Sequence, residues 1–256
     1  MKYFKTILIV SIVVGASTAA PISEQDVGEF GEYFEGDMRL TNAQKLAVQK
    51  GIVTFNGLVD TNTRWPNNTV VYHINEEDFD EDKVKLIKKG MEDISNKTCI
   101  RFRERETDAE HAVIIQGSNS GCYSDVGYHG SGDQTINYGR RCFRAGTIVH
   151  EMLHALGFYH MQSTHNRGDF VTIQWDNIKE GKAHNFEKYT SIVVTDFGVP
   201  YDYGSVMHYP EKAFSKNGEA TIVPKEEGAV IGQRVGLSDK DVLKVKKMYC
   251  ETPKKD

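Results

Sequence analysis

Residues 150–160 read HEMLHALGFYH, three histidines and a glutamate in eleven positions. His150 and His154 are four apart, so on an α-helix both imidazoles stand on one face, one turn apart. Gly157 follows three residues later. Glycine adopts the left-handed conformation that ends a helix, and the chain can then turn back so that His160 offers a third nitrogen from outside it. Three protein ligands with one open position are what a catalytic zinc requires, whereas structural zinc sites close all four. Glu151, beside the first histidine, then reaches a water rather than the metal. Zinc would lower the pKa of that water, Glu151 would take its proton, and the nucleophile would attack a carbonyl polarised by the same ion. The spacing HExxHxxGxxH predicts one zinc per chain held by His150, His154 and His160.

Positioning these groups takes a helix and something to hold it. Ile148 to Leu156 reads as the helix carrying the motif. Ahead of it, TVVYHI (69–74) reads as a strand. Val84, Ile87, Met91 and Ile94 then recur at spacings of three and four across 80–96, one apolar helical face. Asp78, Asp80, Glu81 and Asp82 suit the start of that helix, and Lys83, Lys85, Lys88 and Lys89 read as its solvated face. Ile100-Arg101-Phe102 alternates like a strand, and HAVIIQG (111–117) reads as a buried one. This order gives an α/β N-terminal half. Residues 117–141, rich in Gly, Ser, Tyr and Asn, read as a loop-rich segment. Regular structure is then sparse until a last helix capped by Ser238 with Asp241 three residues on, whose inner face is Val242, Val245 and Met248. A short helix over 42–50 precedes the main domain.

The chain has 256 residues, 39% hydrophobic and 26% charged, with net charge −5. That is ordinary for a globular domain, and no basic patch argues for nucleic acid. The start, MKYFKTILIVSIVVGASTAAPIS, has Lys2 and Lys5, an apolar run and then small residues, the layout of a secretory signal peptide cleaved near Ala19 or Ala20. The apolar run is too short to span a bilayer, and a secreted protein with no membrane segment is expected. Four cysteines, Cys99, Cys122, Cys142 and Cys250, fit two disulfides in that compartment, with three pairings open. Asn67 and Asn96 stand in glycosylation sequons.

Beyond the spacing, GTIVHEMLHALGFYH (146–160) resembles the astacin family of the metzincins, and SVMHY (205–209) resembles that family's Met-turn. The resemblance extends over nearly the whole mature chain, including GCYSDVGYHG (121–130) and IGQRVGLSDKDVLKVKKMYC (231–250). It implies an α+β fold of two subdomains. A twisted mixed sheet and the active-site helix lie above a zinc cleft, with an irregular C-terminal subdomain and a terminal helix below. It implies that Met207 packs beneath the metal, and that Tyr209 is a resting zinc ligand that swings to stabilise a tetrahedral intermediate. It implies disulfides Cys99–Cys250 and Cys122–Cys142. Phe34-Glu35-Gly36-Asp37 resembles the FxGD motif of astacin proforms, making Asp37 the zymogen switch that holds zinc in place of water. The organisation expected is a signal peptide over 1–20, a propeptide over 21–55 and a catalytic domain over 56–256. Lys50 is a candidate activation cut for a trypsin-like protease, and the mature N-terminus falls near Asn56.

Lys225 aligns with a basic residue lining the primed-side pocket of relatives that favour acidic residues there; a solvated lysine is the competing reading. His73, His111, His129, His165, His184 and His208 lack ligand spacing and read as structural or surface residues. The chain departs from its family at Met161, Thr164 and Asn166-Arg167-Gly168, where relatives carry glutamate, arginine and a DRD-like run. In relatives the glutamate anchors the buried N-terminus, and a methionine is not expected to accept a hydrogen bond from an amine. The reading is a secreted zinc endopeptidase made as a zymogen, monomeric, with protein or peptide substrates, an activating protease and no appended EGF-like or CUB module. The rival is a secreted, catalytically inactive binding protein on the same fold. Retention of Glu151 and Tyr209 favours the first.

Overall fold

A computed structural model of the chain describes residues 32–49, 60–188 and 196–251. The expected signal peptide over 1–20, residues 21–31 of the expected propeptide, the expected cut at Lys50 and the expected N-terminus near Asn56 lie outside the described residues. The elements in chain order are β1 (Met38–Arg39), α1 (Asn42–Gln49), β2 (Thr69–Ile74), α2 (Glu81–Lys97), β3 (Arg101–Glu104) and β4 (Val113–Gln116). They continue with β5 (Cys122–Asp125), β6 (Gln134–Tyr138), α3 (Ala145–Ala155), β7 (Val171–Ile173), β8 (Ile222–Pro224) and α4 (Asp239–Val245).

Six strands form one mixed sheet in the order β1-β5-β6-β4-β2-β3. β3, β2, β4 and β6 run parallel, β5 runs antiparallel to β6, and β1 joins the β5 edge in parallel. The segment 117–141, expected as loop, contributes β5 and β6. Its signal was hidden because the buried faces carry polar side chains. Gln134 donates to Gly127 O (2.6 Å) and Asn137 to Asn119 O and Gly121 O (3.0 and 2.8 Å), so buried amides tie the strand to the surrounding loops. Cys122 at the start of β5 is bonded to Cys142, and Cys99 at the end of α2 is bonded to Cys250.

α2 begins where Asp80 accepts from Lys83 N at 3.0 Å, with Glu81 and Asp82 in its first turn and Lys97 in its last. Its buried residues, Ile87, Gly90, Met91 and Ile94, face the sheet and α3. Gly90 is there for closeness: a Cβ would stand 2.7 Å from Ile148 Cγ2. α3 is buried along its whole length from Gly146 to Ala155. It is therefore a central helix, and its polar residues must find partners inside the protein.

The buried apolar residues fall into two clusters. One holds the sheet, α2, α3 and the end of the chain; the other, around Phe186, Tyr201, Tyr209, Phe214 and Ile222, holds the antiparallel β7–β8 pair and the loops about it. The mixed sheet above and the irregular half below are the α+β two-subdomain arrangement expected of the sequence.

α3 meets the lower half at its first turn. Gly146 N donates to Arg234 O (3.0 Å), and a Cβ on Gly146 would lie 2.1 Å from the Arg234 carbonyl carbon. Gly146→Ala must push these two backbones apart. The expected cost is about 1–3 kcal/mol of stability, the usual range for overpacking, read as a lower denaturant midpoint with the disulfides intact. An unchanged midpoint would show that the contact yields freely.

Candidate metal centre

His150 and His154 project from one face of α3. The helix then stops in a Schellman turn: Gly157 N donates to His154 O (2.8 Å), Phe158 N donates to Leu153 O (3.0 Å), and Gly157 has φ 101°. The reversed chain presents His160 in extended conformation toward the other two histidines. His150 Nε2 lies 3.1 Å from His154 Nε2 and 3.3 Å from His160 Nε2. Asp37 enters from the FEGD segment ahead of β1. Its Oδ2 lies 3.1 Å from His150 Nε2 and 3.2 Å from His160 Nε2, and its Oδ1 lies 3.5 Å from His154 Nε2. All four side chains are buried, and one ligand atom from each falls within 4.8 Å of the others.

The second nitrogen of each imidazole is committed elsewhere. His150 Nδ1 donates to Val206 O (2.8 Å), His154 Nδ1 to Phe158 O (2.7 Å) and His160 Nδ1 to the Glu35 carboxylate (2.8 Å). With Nδ1 as donor in each ring, the lone pairs sit on the three Nε2 atoms and point at one another. Neutral lone pairs at 3.1–3.3 Å repel, whereas two nitrogens each about 2.0–2.1 Å from a tetrahedral zinc stand about 3.3–3.4 Å apart. Asp37 Oδ1, buried, has no hydrogen-bond partner among the described residues. The donor set therefore fits zinc, with His150, His154 and His160 as ligands and Asp37 as the fourth. Oriented rings with a fixed second nitrogen are also how histidine metal sites are built.

Glu151 is fully buried next to His150, and neither carboxylate oxygen has a hydrogen-bond partner among the described residues. Burial first, and then the charge of Asp37, push its pKa well above the ordinary glutamate range. Burial pulls His160 down, but the Asp37 and Glu35 carboxylates outweigh it and favour positive charge at that ring, as they would favour a cation among the three, while burial dominates at His150 and holds it at about 3. For Asp37 the same histidines overcome burial and keep the carboxyl well below its ordinary range.

The Met-turn closes the floor. Ser205 Oγ and Val206 N donate to the two oxygens of Asp241 (2.6 and 2.9 Å), and Met207 O accepts from Met161 N (2.9 Å). Asp241 is also the reciprocal partner in the Ser238 capping box of α4, so the last helix is bonded to the turn that holds His150. Met207 is buried there. The Tyr209 ring centroid stands 4.7 Å from that of His160, and its hydroxyl donates to Glu35 O. The phenol thus faces the FEGD segment.

Met161 departs from expectation. Its thioether sulfur lies 3.1 Å from the buried Lys244 Nζ and accepts from that ammonium. Sulfur is a weak acceptor but an acceptor all the same, so the position does take a hydrogen bond from an amine, a side-chain one. Lys225, exposed at the end of β8, donates to Gly168 O and lies outside the histidine cluster. Asn67 and Asn96 are both exposed. Sequence reading missed Glu35, whose carboxylate also accepts from Ser163 Oγ (2.6 Å), and the Asp241 tether. An acidic residue inside FEGD was the one available signal for the first; Asp241 was legible only as a helix cap.

A family model described as astacin, a peptidase family, matches residues 57–250. The chain is 37% identical over 229 residues to zinc metalloproteinase nas-4 of Caenorhabditis elegans, covering 89% of this chain and 72% of that protein. It is 38% identical over 236 residues to meprin A subunit beta of Rattus norvegicus, covering 90% of this chain. The chain spans about a third (32%) of that meprin's length. Among solved structures it is similar to high choriolytic enzyme 1, a hatching enzyme zinc-protease from Oryzias latipes. That match has a TM-score of 0.66 and 34% identity, and covers 77% of this chain and 94% of the other.

His208, inside the Met-turn, generates a pH prediction. Its Nδ1 donates to Tyr209 O (2.8 Å) and its Nε2 accepts from the Tyr201 hydroxyl (2.7 Å), which requires a neutral ring. Burial lowers its pKa from 6.5 to about 3, against the backbone acceptor that favours the charged form. Between those values the unfolded chain binds a proton that the folded chain does not. This contribution is therefore full above about pH 6.5 and is lost as pH falls toward about 3. Denaturant midpoints of the unprocessed chain should fall with acid through that window, and His208→Gln should flatten the slope by up to one proton. Identical slopes would remove His208 as a source of acid sensitivity.

Proposed function

The chain belongs to the astacin family of zinc metallopeptidases, and from that premise we propose that it is a secreted zinc endopeptidase made as a zymogen. The observation carrying this reading is the convergence of His150, His154 and His160 on the pro-segment's own Asp37, beside the unpartnered carboxylate of Glu151. The signal peptide covers 1–20, the propeptide 21–55 and the catalytic domain 56–256. An activating protease, cutting near Lys50 with later trimming toward Asn56, releases a monomer that acts on proteins or peptides. No helix among the described residues is long and apolar enough to cross a membrane.

His150, His154 and His160 would hold zinc, their Nδ1 atoms being engaged elsewhere. When bound, the ion supplies Lewis acidity, lowering the pKa of a water and polarising the scissile carbonyl. Glu151 takes the proton of the attacking water and delivers it to the leaving amine. Its burial suits this double role, because a carboxyl with a raised pKa both accepts and returns a proton. Tyr209 gives up Glu35 O when the pro-segment leaves, and its hydroxyl then donates to the developing oxyanion. Before that, Asp37 occupies the place of water and Glu35 occupies both His160 Nδ1 and Tyr209, so one short segment blocks the nucleophile and the oxyanion donor together. Met207 belongs to the buried floor under this set, and Lys225 is the candidate for charge preference on the primed side.

Processed protein should cleave casein in a chelator-sensitive way; complete absence of such cleavage would favour an inactive binding protein. Glu151→Gln should lower kcat by about 10²–10⁴ while the zinc content stays at one per chain; wild-type turnover in that variant would refute the role of Glu151. Asp37→Ala should give an unprocessed chain with measurable basal activity, and a silent one would count against the switch.

A further inference from the structure

The pro-segment also marks a place on the cleft wall that the chemistry above does not use. Asp37 O accepts from Ser124 N (2.9 Å), and β1 continues from there along the edge of β5 that faces away from β6, pairing Arg39 with Asp125. Arg39 Nε donates to Asp125 Oδ1 at 2.6 Å, and its Nη2 donates to Oδ2, a two-pronged contact. Asp125 is aimed at this spot by the protein itself, because Oδ2 also accepts from Thr135 N of β6 at 2.7 Å. Its side chain is 6% exposed under the pro-segment, against 37% for Arg39. Departure of the pro-segment removes that cation and uncovers a fixed carboxylate, two residues along from the position Asp37 holds over the histidines. The same edge offers backbone groups to any extended peptide that enters the cleft.

We propose that Asp125 is a specificity-determining residue: in the processed enzyme it receives a basic side chain, arginine above lysine, from a substrate lying along β5. Arginine ranks first because a planar fork matches both carboxylate oxygens, while an ammonium meets them as a point charge. Arg39 is then the pro-segment's own occupant of a substrate subsite. The inference rests on the peptidase reading, and it assigns the substrate class on the β5 side of the cleft, apart from Lys225.

The test uses processed protein carrying Glu151→Gln, so that binding is read without turnover. Peptides identical except for Arg, Lys, Gln or Glu at one position are titrated, the position being scanned along the sequence. Arginine should bind about tenfold tighter than glutamine at one position, the size of one charge-assisted hydrogen bond at a partly open site. That ratio should shrink at about 0.5 M salt. Asp125→Asn should bring it to about one, while Asp125→Glu, which keeps the charge, should retain a basic preference. Cleavage profiling of the active processed enzyme should show the same enrichment. A ratio near one in the parent protein, or an arginine preference that survives Asp125→Asn, would overturn the subsite. Arginine-selective binding without chelator-sensitive cleavage would instead sink the peptidase reading and leave the subsite standing.

Discussion

Three lone pairs aimed at one point are the constraint on which the rest of the structure depends. Neutral imidazoles would not sit with their Nε2 atoms 3.1–3.3 Å apart unless a cation were to lie between them and other groups held the rings in place. The holding groups come from three unrelated parts of the chain. Val206 O belongs to the Met-turn, Phe158 O to the Schellman turn that ends α3, and the Glu35 carboxylate to the pro-segment. Each fixes one ring by accepting a hydrogen bond from its Nδ1–H. The architecture can be understood as what is needed to bring those three acceptors to the ends of one buried helix.

The Val206 arm shows how far such a requirement reaches. Its carbonyl orients His150 and its amide is held by Asp241, which in turn closes the capping box of α4 with Ser238. α4 runs into the turn that ends at Cys250, bonded to Cys99 at the foot of α2. A buried carboxylate that accepts from Ser205 Oγ, Val206 N and Ser238 N is well satisfied, and losing it would leave three donors unpaired. The C-terminal helix is therefore part of the metal centre's support, although no residue of it approaches the metal.

The parts legible in the sequence were those whose geometry is local. HExxH needs only the helical repeat, Gly157 only its left-handed φ, the acidic start of α2 only the helix dipole, and the Ser238 cap only its own first turn. β5 and β6 were missed because burial there does not follow hydropathy: CYSD is buried at every position, and QTINY buries Gln134 and Asn137 behind hydrogen bonds to loops. Long-range partners were equally silent. Nothing in the spacing of Met161 and Lys244, or of Glu35 and Ser163, says that they meet. The reading of Met161 weighed only a chain terminus as donor, whereas its sulfur accepts from the side chain of Lys244.

The FEGD segment meets the histidines from two sides only because its backbone turns so tightly. Glu35 has φ 46°, a left-handed conformation uncommon outside glycine, and Gly36 has φ 89°. Two successive residues of that hand turn the backbone sharply enough for Glu35 and Asp37 to reach His160 from different sides, one at Nδ1 and one at Nε2. A straight strand would place side chains two apart on the same face and reach only one nitrogen. The strained turn is stabilised at both ends, by Gly36 N on Tyr33 O and by the paired Phe34 and Met38 backbones, and β1 and Arg39 then anchor it to β5. Cutting the chain beyond α1 severs no contact at the metal itself. A cut there would leave β1, Arg39 and the turn's own hydrogen bonds in place, so the segment would stay until its strand pairing with β5 gives way.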